Sequence, residues 1–100
     1  MIMDIQKILE NGTLTLKVSG RIDTKTSPQF SEALTDSLSG VTMLIVDMGE
    51  VAYISSAGLR VLLTAQKTMN KQGEMKVTNV NSDVMEIFDV TGFSDILTIE

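Results

Sequence analysis

Strand and helix patterns alternate along this chain after one strong hairpin signal. Residues 13–18 alternate apolar with polar side chains, which is typical of a strand with one buried face, and residues 2–10 are also compatible with a strand. Asn11-Gly12 stands between them, and both residues tolerate the positive φ angles of a two-residue hairpin turn. The chain is therefore predicted to open with two antiparallel strands.

Three later segments have the apolar periodicity of a helix together with a start signal and a stop signal. Each start is placed at a serine, because a serine hydroxyl at the N-cap accepts a hydrogen bond from the first turn. Each stop is placed at a glycine, which ends helices readily. The predicted starts and stops are Ser27 and Gly40, Ser56 and Gly73, and Ser82 and Gly92.

Further strands are predicted between and after these helices, at residues 43–48 and 75–80, with a short last strand at 96–99. The run 43–48 is apolar except for Asp47, which is typical of a central strand covered on both faces. Helices that alternate with strands imply right-handed crossovers between parallel strands. The predicted fold is a single α/β domain over residues 1–100, with a mixed, mostly parallel sheet of four to five strands, opened by the hairpin, and about three crossover helices.

The charge and hydropathy patterns argue against several classes of partner. Of 100 residues, 13 are acidic and 8 basic, which gives a net charge of -5. No segment concentrates Lys or Arg as nucleic-acid binding requires, so no nucleic-acid partner is expected. No apolar run approaches the length of a membrane span and the first residues do not resemble a signal peptide, so no membrane partner and a cytoplasmic location are expected.

Histidine and cysteine are both absent from the sequence. Without histidine the chain cannot form its own Ser-His-Asp triad, and it lacks the commonest metal ligand. The scattered acids also lack the spacing of metal ligands. No catalytic residue, no metal site and no cofactor is therefore predicted.

Two adjacent serines, Ser55 and Ser56, lie where a predicted strand gives way to a helix, in the segment YISSAGLRVLL. In open α/β sheets functional groups collect at such junctions, where the helix dipole also favours negative charge. One interpretation is helix capping alone, which is worth about 1 kcal/mol. A serine nucleophile is disfavoured, because Ile54 stands where the nucleophile elbow needs glycine and no Ser-x-x-Lys pair occurs. The other interpretation is a serine that a separate kinase phosphorylates.

Three segments carry a resemblance to a known family. VDMGEVAYISSAGLRVLL, GRID followed by Thr26, and VMEIFDVTGF together resemble the STAS domain of bacterial anti-sigma-factor antagonists. The resemblance implies a non-enzymatic protein that, when unmodified, binds an anti-sigma factor and so releases a sigma factor. That anti-sigma factor would also be a serine kinase of the histidine-kinase-like ATPase type. Phosphorylation would end the binding, and a PP2C-type phosphatase would restore it.

The resemblance also implies which residues form the site. The family's phosphate acceptor lies two residues before the motif glycine, Gly58, and therefore maps to Ser56. Ser55 is the alternative acceptor, because it replaces the aspartate that often precedes the acceptor. Asp23 matches an aspartate near the acceptor on the partner-binding face, although it could simply cap a loop turn. The implied partner-binding residues are Asp23, Ser55, Ser56, Ala57, Gly58 and Arg60.

Arg60 stands where the family often has a small residue. Helical side chains lean towards the N-terminus, so its guanidinium can reach above Ser56 and pair with a phosphoryl group. Alternatively, Arg60 belongs to a solvated stripe with Thr64 and Lys67. Two other functions remain open beside the phosphorylation switch: an unswitched scaffold or adaptor, and a module that binds a small molecule or anion at the helix N-terminus.

Overall fold

A computed structural model describes residues 3–100 of the chain. Four strands, three helices and a final 3₁₀ turn follow one another in this part of the chain. In order they are β1 (Asp4–Glu10), β2 (Thr13–Ile22), α1 (Ser27–Thr35), β3 (Met43–Ile54), α2 (Ser56–Gln72), β4 (Glu74–Thr78), α3 (Ser82–Thr91) and the 3₁₀ turn (Phe93–Asp95).

The strands form one sheet in the order β1-β2-β3-β4. β1 is antiparallel to β2, and the other neighbours are parallel, so the predicted mixed, mostly parallel sheet is confirmed. Asn11 and Gly12 take the positive φ angles predicted for the hairpin turn, 51° and 81°. The predicted last strand at 96–99 is reduced to a single bridge between Ile99 and Val77.

One face of the sheet is buried and the other is only partly covered. Along β3, Leu44, Val46 and Met48 are fully buried, whereas Met43, Ile45 and Asp47 are half-buried. The prediction that this strand is covered on both faces is therefore wrong. Successive right-handed crossovers that move in one direction across a sheet place their helices on the same face, and α1 accordingly packs against α2.

β3 is also longer than predicted, because it continues past Met48 to Ile54. Lys17 pairs with Asp47, but the pairing then shifts so that Ser19 faces Glu50 and Arg21 faces Tyr53. These register shifts, of the kind that β-bulges cause, let both strands continue to the same edge of the sheet. As a result, β2 and β3 end side by side at Ile22 and Ile54.

All three helices have their N-cap one residue earlier than the serine predicted for it. The observed caps are Thr26, Ser55 and Asn81 in place of Ser27, Ser56 and Ser82. The predicted stops at Gly73 and Gly92 are confirmed as C-caps. The predicted stop at Gly40 is wrong, since α1 already ends at Thr35.

A side chain of α2 explains why the segment after α1 need not be helical. Gln72 Nε2 donates to the carbonyl oxygens of Leu38 and Val41, each at 2.6 Å, so these carbonyls are paired without a helix. Gly73 then lies against the same connection. A Cβ at Gly73 would overlap the Thr42 carbonyl oxygen, which explains the glycine at this stop.

The core is one cluster of apolar side chains between the sheet and the helices. Phe30 of α1, Leu62 and Met69 of α2 and Phe88 of α3 are each fully buried in it. Such side chains, each worth roughly 1.5–3 kcal/mol on burial, fix the helices on the sheet. Between residues 3 and 100, no helix is long and apolar enough to cross a membrane.

Candidate functional site

The predicted site residues converge where β2 and β3 end. Ser55 N donates a hydrogen bond to the Ile22 carbonyl oxygen at 2.7 Å. This bond joins the start of the β2–α1 loop, which contains Asp23, to the start of α2. Asp23 and the serine pair therefore lie at neighbouring strand ends, on the edge of the sheet where α/β proteins commonly place functional groups.

The two serines differ in what their hydroxyl groups do. Ser55 is the N-cap of α2, with extended backbone angles of φ −90° and ψ 172°, and its Oγ accepts a hydrogen bond from Gly58 N at 3.3 Å. Ser56 is the first residue of the helix and is exposed. Across residues 3–100, no hydrogen bond uses the Ser56 hydroxyl. Ser55 therefore caps the helix, and the Ser56 hydroxyl is left free.

Gly58 allows the first turn of α2 to lie directly on the strand ends. It is buried, and a Cβ there would stand 2.6 Å from Ile22 Cγ2 and 2.8 Å from Ile54 Cγ1. Both atoms belong to β-branched side chains, which have little rotamer freedom to move away. Ala57, between Ser56 and Gly58, is only partly exposed. The glycine thus fixes the depth at which the serine pair sits above the sheet.

Asp23 organises the loop between β2 and α1. Its Oδ1 accepts hydrogen bonds from Lys25 N at 2.9 Å and Thr26 N at 3.0 Å. In return, Asp23 N donates to Thr26 Oγ1 at 2.8 Å. The turn-capping role that the sequence left open for Asp23 is therefore present, and it holds the carboxylate beside the end of β2.

The same hydrogen bonds determine the charge of Asp23. The backbone N–H of Thr26 lowers the pKa of the Asp23 carboxyl below its ordinary value of 3.8. Partial desolvation opposes this shift, while the Lys25 N–H, the Thr26 hydroxyl and the charge of Arg21 reinforce it. Asp23 is consequently a carboxylate at neutral pH and a fixed negative charge next to the serine pair.

Arg60 lies on α2 four residues after Ser56 and is exposed. Residues at this spacing are neighbours on one face of a helix. The only ion pair found in the described part of the chain joins Lys76 to Glu100, so Arg60 makes none there. Arg60 is thus placed where either predicted role, pairing with a phosphoryl group or solvation, is open to it.

A second arginine stands at the same edge of the sheet. Arg21 of β2 and Tyr53 of β3 are register partners, and the guanidinium carbon lies 4.5 Å from the centroid of the tyrosine ring. This distance is typical of a cation–π contact. Arg21 is exposed, and Tyr53 retains 37% of its accessible surface.

The chain matches the STAS domain family over residues 4–100. It belongs to this family. An anti-sigma-B factor antagonist of Listeria monocytogenes is 34% identical over 85 residues, which cover 83% of this chain and 75% of the relative. The resemblance predicted from the sequence motifs is therefore confirmed.

Solved structures agree with the fold of this STAS domain. An anti-sigma factor antagonist from Mycobacterium paratuberculosis superposes with a TM-score of 0.89 at 20% identity, over 98% of this chain and 85% of that one. The Bacillus cell fate determinant SpoIIAA in its phosphorylated form gives a TM-score of 0.75 at 15% identity, over 97% and 91%. Both likenesses show a shared fold.

The sequence patterns did not single out Arg21 and Tyr53, which the structure places in contact beside the predicted site residues. Both lie within the motifs that carry the family resemblance, Arg21 in GRID two positions before Asp23 and Tyr53 in the longer motif two positions before Ser55, but the resemblance implied no role for either. Their contact depends on the register shifts between β2 and β3, which no periodicity in the sequence signals. The available signal was the type of residue, since exposed Arg and Tyr beside a binding motif are typical of interfaces.

Proposed function

We propose that this STAS domain is an anti-sigma-factor antagonist whose binding to an anti-sigma factor is switched off by phosphorylation of Ser56. The anti-sigma factor is itself the serine kinase, of the histidine-kinase-like ATPase type, and a PP2C-type phosphatase reverses the modification in the cytoplasm. One observation carries the proposal: the Ser56 hydroxyl is exposed and free, because Ser55 does the capping. The Listeria relative, named an anti-sigma-B factor antagonist, and the phosphorylated form of the fold neighbour support it.

In this reaction the chain is a substrate and the kinase supplies the catalytic groups. Ser56 Oγ attacks the γ-phosphorus of Mg-ATP, the bond from that phosphorus to the bridging oxygen breaks, and ADP leaves. The hydroxyl proton passes to a base of the kinase. The product carries about −1.5 to −2 charges at the first turn of α2, where the helix dipole favours negative charge.

Phosphorylation of Ser56 is expected to act on the interface rather than on the fold. The hydrogen bond from Gly58 N to Ser55 Oγ does not involve the modified oxygen, so the cap persists. A partner fitted to a neutral hydroxyl beside the Asp23 carboxylate must instead meet two negative groups. Unfavourable charge contacts in an interface cost several kcal/mol, and each 1.4 kcal/mol lowers affinity about tenfold.

Intact-mass spectrometry after incubation with a purified candidate kinase and Mg-ATP tests the acceptor. The wild type and Ser55→Ala should each gain one phosphoryl group, and Ser56→Ala should gain none. Each serine variant thus serves as the control for the other. Modification of Ser56→Ala with loss in Ser55→Ala would assign the acceptor to Ser55. Binding of the anti-sigma factor without any phosphorylation would make the chain an unswitched scaffold and overturn the proposed switch.

A further inference from the structure

The Arg21 guanidinium is held in place without a hydrogen-bonding partner. Within residues 3–100 neither the ion pair between Lys76 and Glu100 nor any hydrogen bond uses its N–H groups. Tyr53 supports the planar group at 4.5 Å from its ring centroid. A stacked guanidinium loses less conformational entropy when it binds, and its fork of donors matches the two oxygens of a carboxylate.

This stacked pair adjoins the residues of the proposed switch. Arg21 and Tyr53 are cross-strand partners immediately before Ile22 and Ile54, where the two strands end. The hydrogen bond from Ser55 N to the Ile22 carbonyl oxygen holds those ends together at 2.7 Å. The charge of Arg21 also contributes to the lowered pKa of the Asp23 carboxyl, so the two groups lie within electrostatic reach.

We propose that Arg21 and Tyr53 anchor the surface that binds the anti-sigma factor, and that Arg21 binds a carboxylate of that partner. This inference rests on the proposed function and adds two residues and a partner chemistry to it. Tyr and Arg are among the residue types that most often dominate the binding energy of an interface. The chain has a net charge of -5, so few places on its surface attract an acidic group of a partner. Arg21, a cation without an ion pair in residues 3–100 and close to Ser55 and Ser56, is one of these places.

Isothermal titration calorimetry with the purified anti-sigma factor that phosphorylates the wild-type chain tests the anchor. Arg21→Ala should raise Kd at least about thirtyfold, which is the threshold of an interface hot spot. Lys17→Ala is the matched control, because Lys17 is another exposed cation of β2, and it should change Kd less than about twofold. Tyr53→Leu should weaken binding severalfold, because the guanidinium loses its support.

The salt dependence of Kd identifies the chemistry of the contact. Raising the ionic strength should weaken binding of the wild type more than binding of Arg21→Ala, since the variant lacks the ion pair. Arg21→Lys keeps the positive charge but lacks the paired N–H donors of a guanidinium, so its Kd should lie between those of the wild type and Arg21→Ala. Thermal melts of every variant separate loss of binding from loss of folding.

Two results have different meanings. If the wild type binds and Arg21→Ala binds equally well, with an equal salt dependence, the anchor is overturned while the proposed function stands. If an anti-sigma factor neither binds nor phosphorylates the wild type, the proposed function itself is wrong, and the anchor falls with it.

Discussion

At the scale of single residues, the turn before α2 assigns two neighbouring serines to different tasks. Ser55 Oγ accepts the hydrogen bond from Gly58 N, whereas Ser56 Oγ makes no hydrogen bond within residues 3–100. A phosphoryl group on Ser55 would modify the oxygen that accepts this hydrogen bond, whereas a phosphoryl group on Ser56 would leave that oxygen unchanged. The proposed phosphorylation of Ser56 is therefore expected to leave the start of α2 unchanged.

The two serines should therefore differ in their effect on stability. Ser55→Ala removes the cap and should lower the free energy of unfolding by about 1 kcal/mol, which corresponds to roughly 4–8 °C in Tm for a domain of this size. Ser56→Ala removes no intramolecular hydrogen bond and should change stability by less than about 0.5 kcal/mol. Urea denaturation of the two variants checks this order. A larger loss for Ser56→Ala would show that Ser56 is the cap.

Asp23 should contribute to stability in a pH-dependent way. Its pKa is lower in the folded chain than the ordinary 3.8, so the ionised form is favoured by folding. That contribution is complete above the unfolded pKa and is lost as pH falls through the folded pKa. Asp23→Asn should thus be less stable than the wild type at neutral pH, and the difference should disappear in acid. Urea midpoints for both proteins across this range measure it, and a difference that does not vary with pH would exclude the carboxylate as its source.

Arg60 should lower the second pKa of the phosphate on Ser56. A guanidinium one helical turn away favours the dianion, whereas a solvated arginine has little effect on the usual value near 6. Following the phosphorus NMR shift against pH should therefore give a higher phosphate pKa in phosphorylated Arg60→Ala than in the wild type. Lys67→Ala, further along α2, is the control. Superimposable curves for wild type and Arg60→Ala would show that Arg60 belongs to the solvated stripe.

At the scale of elements, the sequence indicated the presence of all three helices, but it misplaced each N-cap by one residue and placed the end of α1 too late. In each case two capping residues stand in succession: Thr26-Ser27, Ser55-Ser56 and Asn81-Ser82. Both members of a pair can accept the capping hydrogen bond, so local preference does not choose between them. The choice depends on where the chain leaves the sheet, which tertiary contacts determine, such as the bond from Ser55 N to the Ile22 carbonyl oxygen.

The end of β3 also could not be predicted from local sequence alone. Gly49 and Glu50 interrupt the apolar run, so the sequence predicted that the strand stops at Met48. The strand continues because a register shift restores its pairing with β2.

The hairpin turn and the stop of α3 at Gly92 could be predicted because they depend on local backbone angles, with positive φ at Asn11, Gly12 and Gly92. The end of α1 could not, because the carbonyls after it pair with the distant side chain of Gln72. The contact between Arg21 and Tyr53 could not be predicted, because it depends on the register shift between β2 and β3.

The close packing of α2 against the ends of β2 and β3 should depend on Gly58. Gly58→Ala brings a methyl group within 2.6 Å of Ile22 Cγ2, and overpacking of this kind typically costs about 1–3 kcal/mol. Gly40→Ala is the comparison for strain without overpacking: apart from its chain neighbours no atom lies within 4 Å of its added Cβ, and its positive φ of 77° alone should cost about 1–2 kcal/mol. Urea denaturation should show a loss for Gly58→Ala, accompanied by weaker binding of the anti-sigma factor. Wild-type stability and binding in Gly58→Ala would contradict the close approach of α2 to the strand ends.

At the scale of the whole molecule, the structure combines one apolar core with a polar edge at the strand ends and helix starts. One apolar cluster joins the sheet to its helices, while the serine pair, Asp23 and Arg21 lie at strand ends and helix starts outside that core. A change of charge at this edge has no buried contact to break. Phosphorylation of Ser56 is therefore expected to change partner binding rather than folding, and thermal melts of both forms should nearly coincide.

The central claim is tested most directly by the affinity of one anti-sigma factor for the unmodified chain and for the chain phosphorylated on Ser56. Calorimetric titration should give a Kd at least about a hundredfold higher for the phosphorylated form, since the added charge costs several kcal/mol at the interface. Ser56→Ala, treated with the same kinase and Mg-ATP, should keep the affinity of the unmodified chain. Equal Kd values for the phosphorylated and unmodified chains would contradict the account.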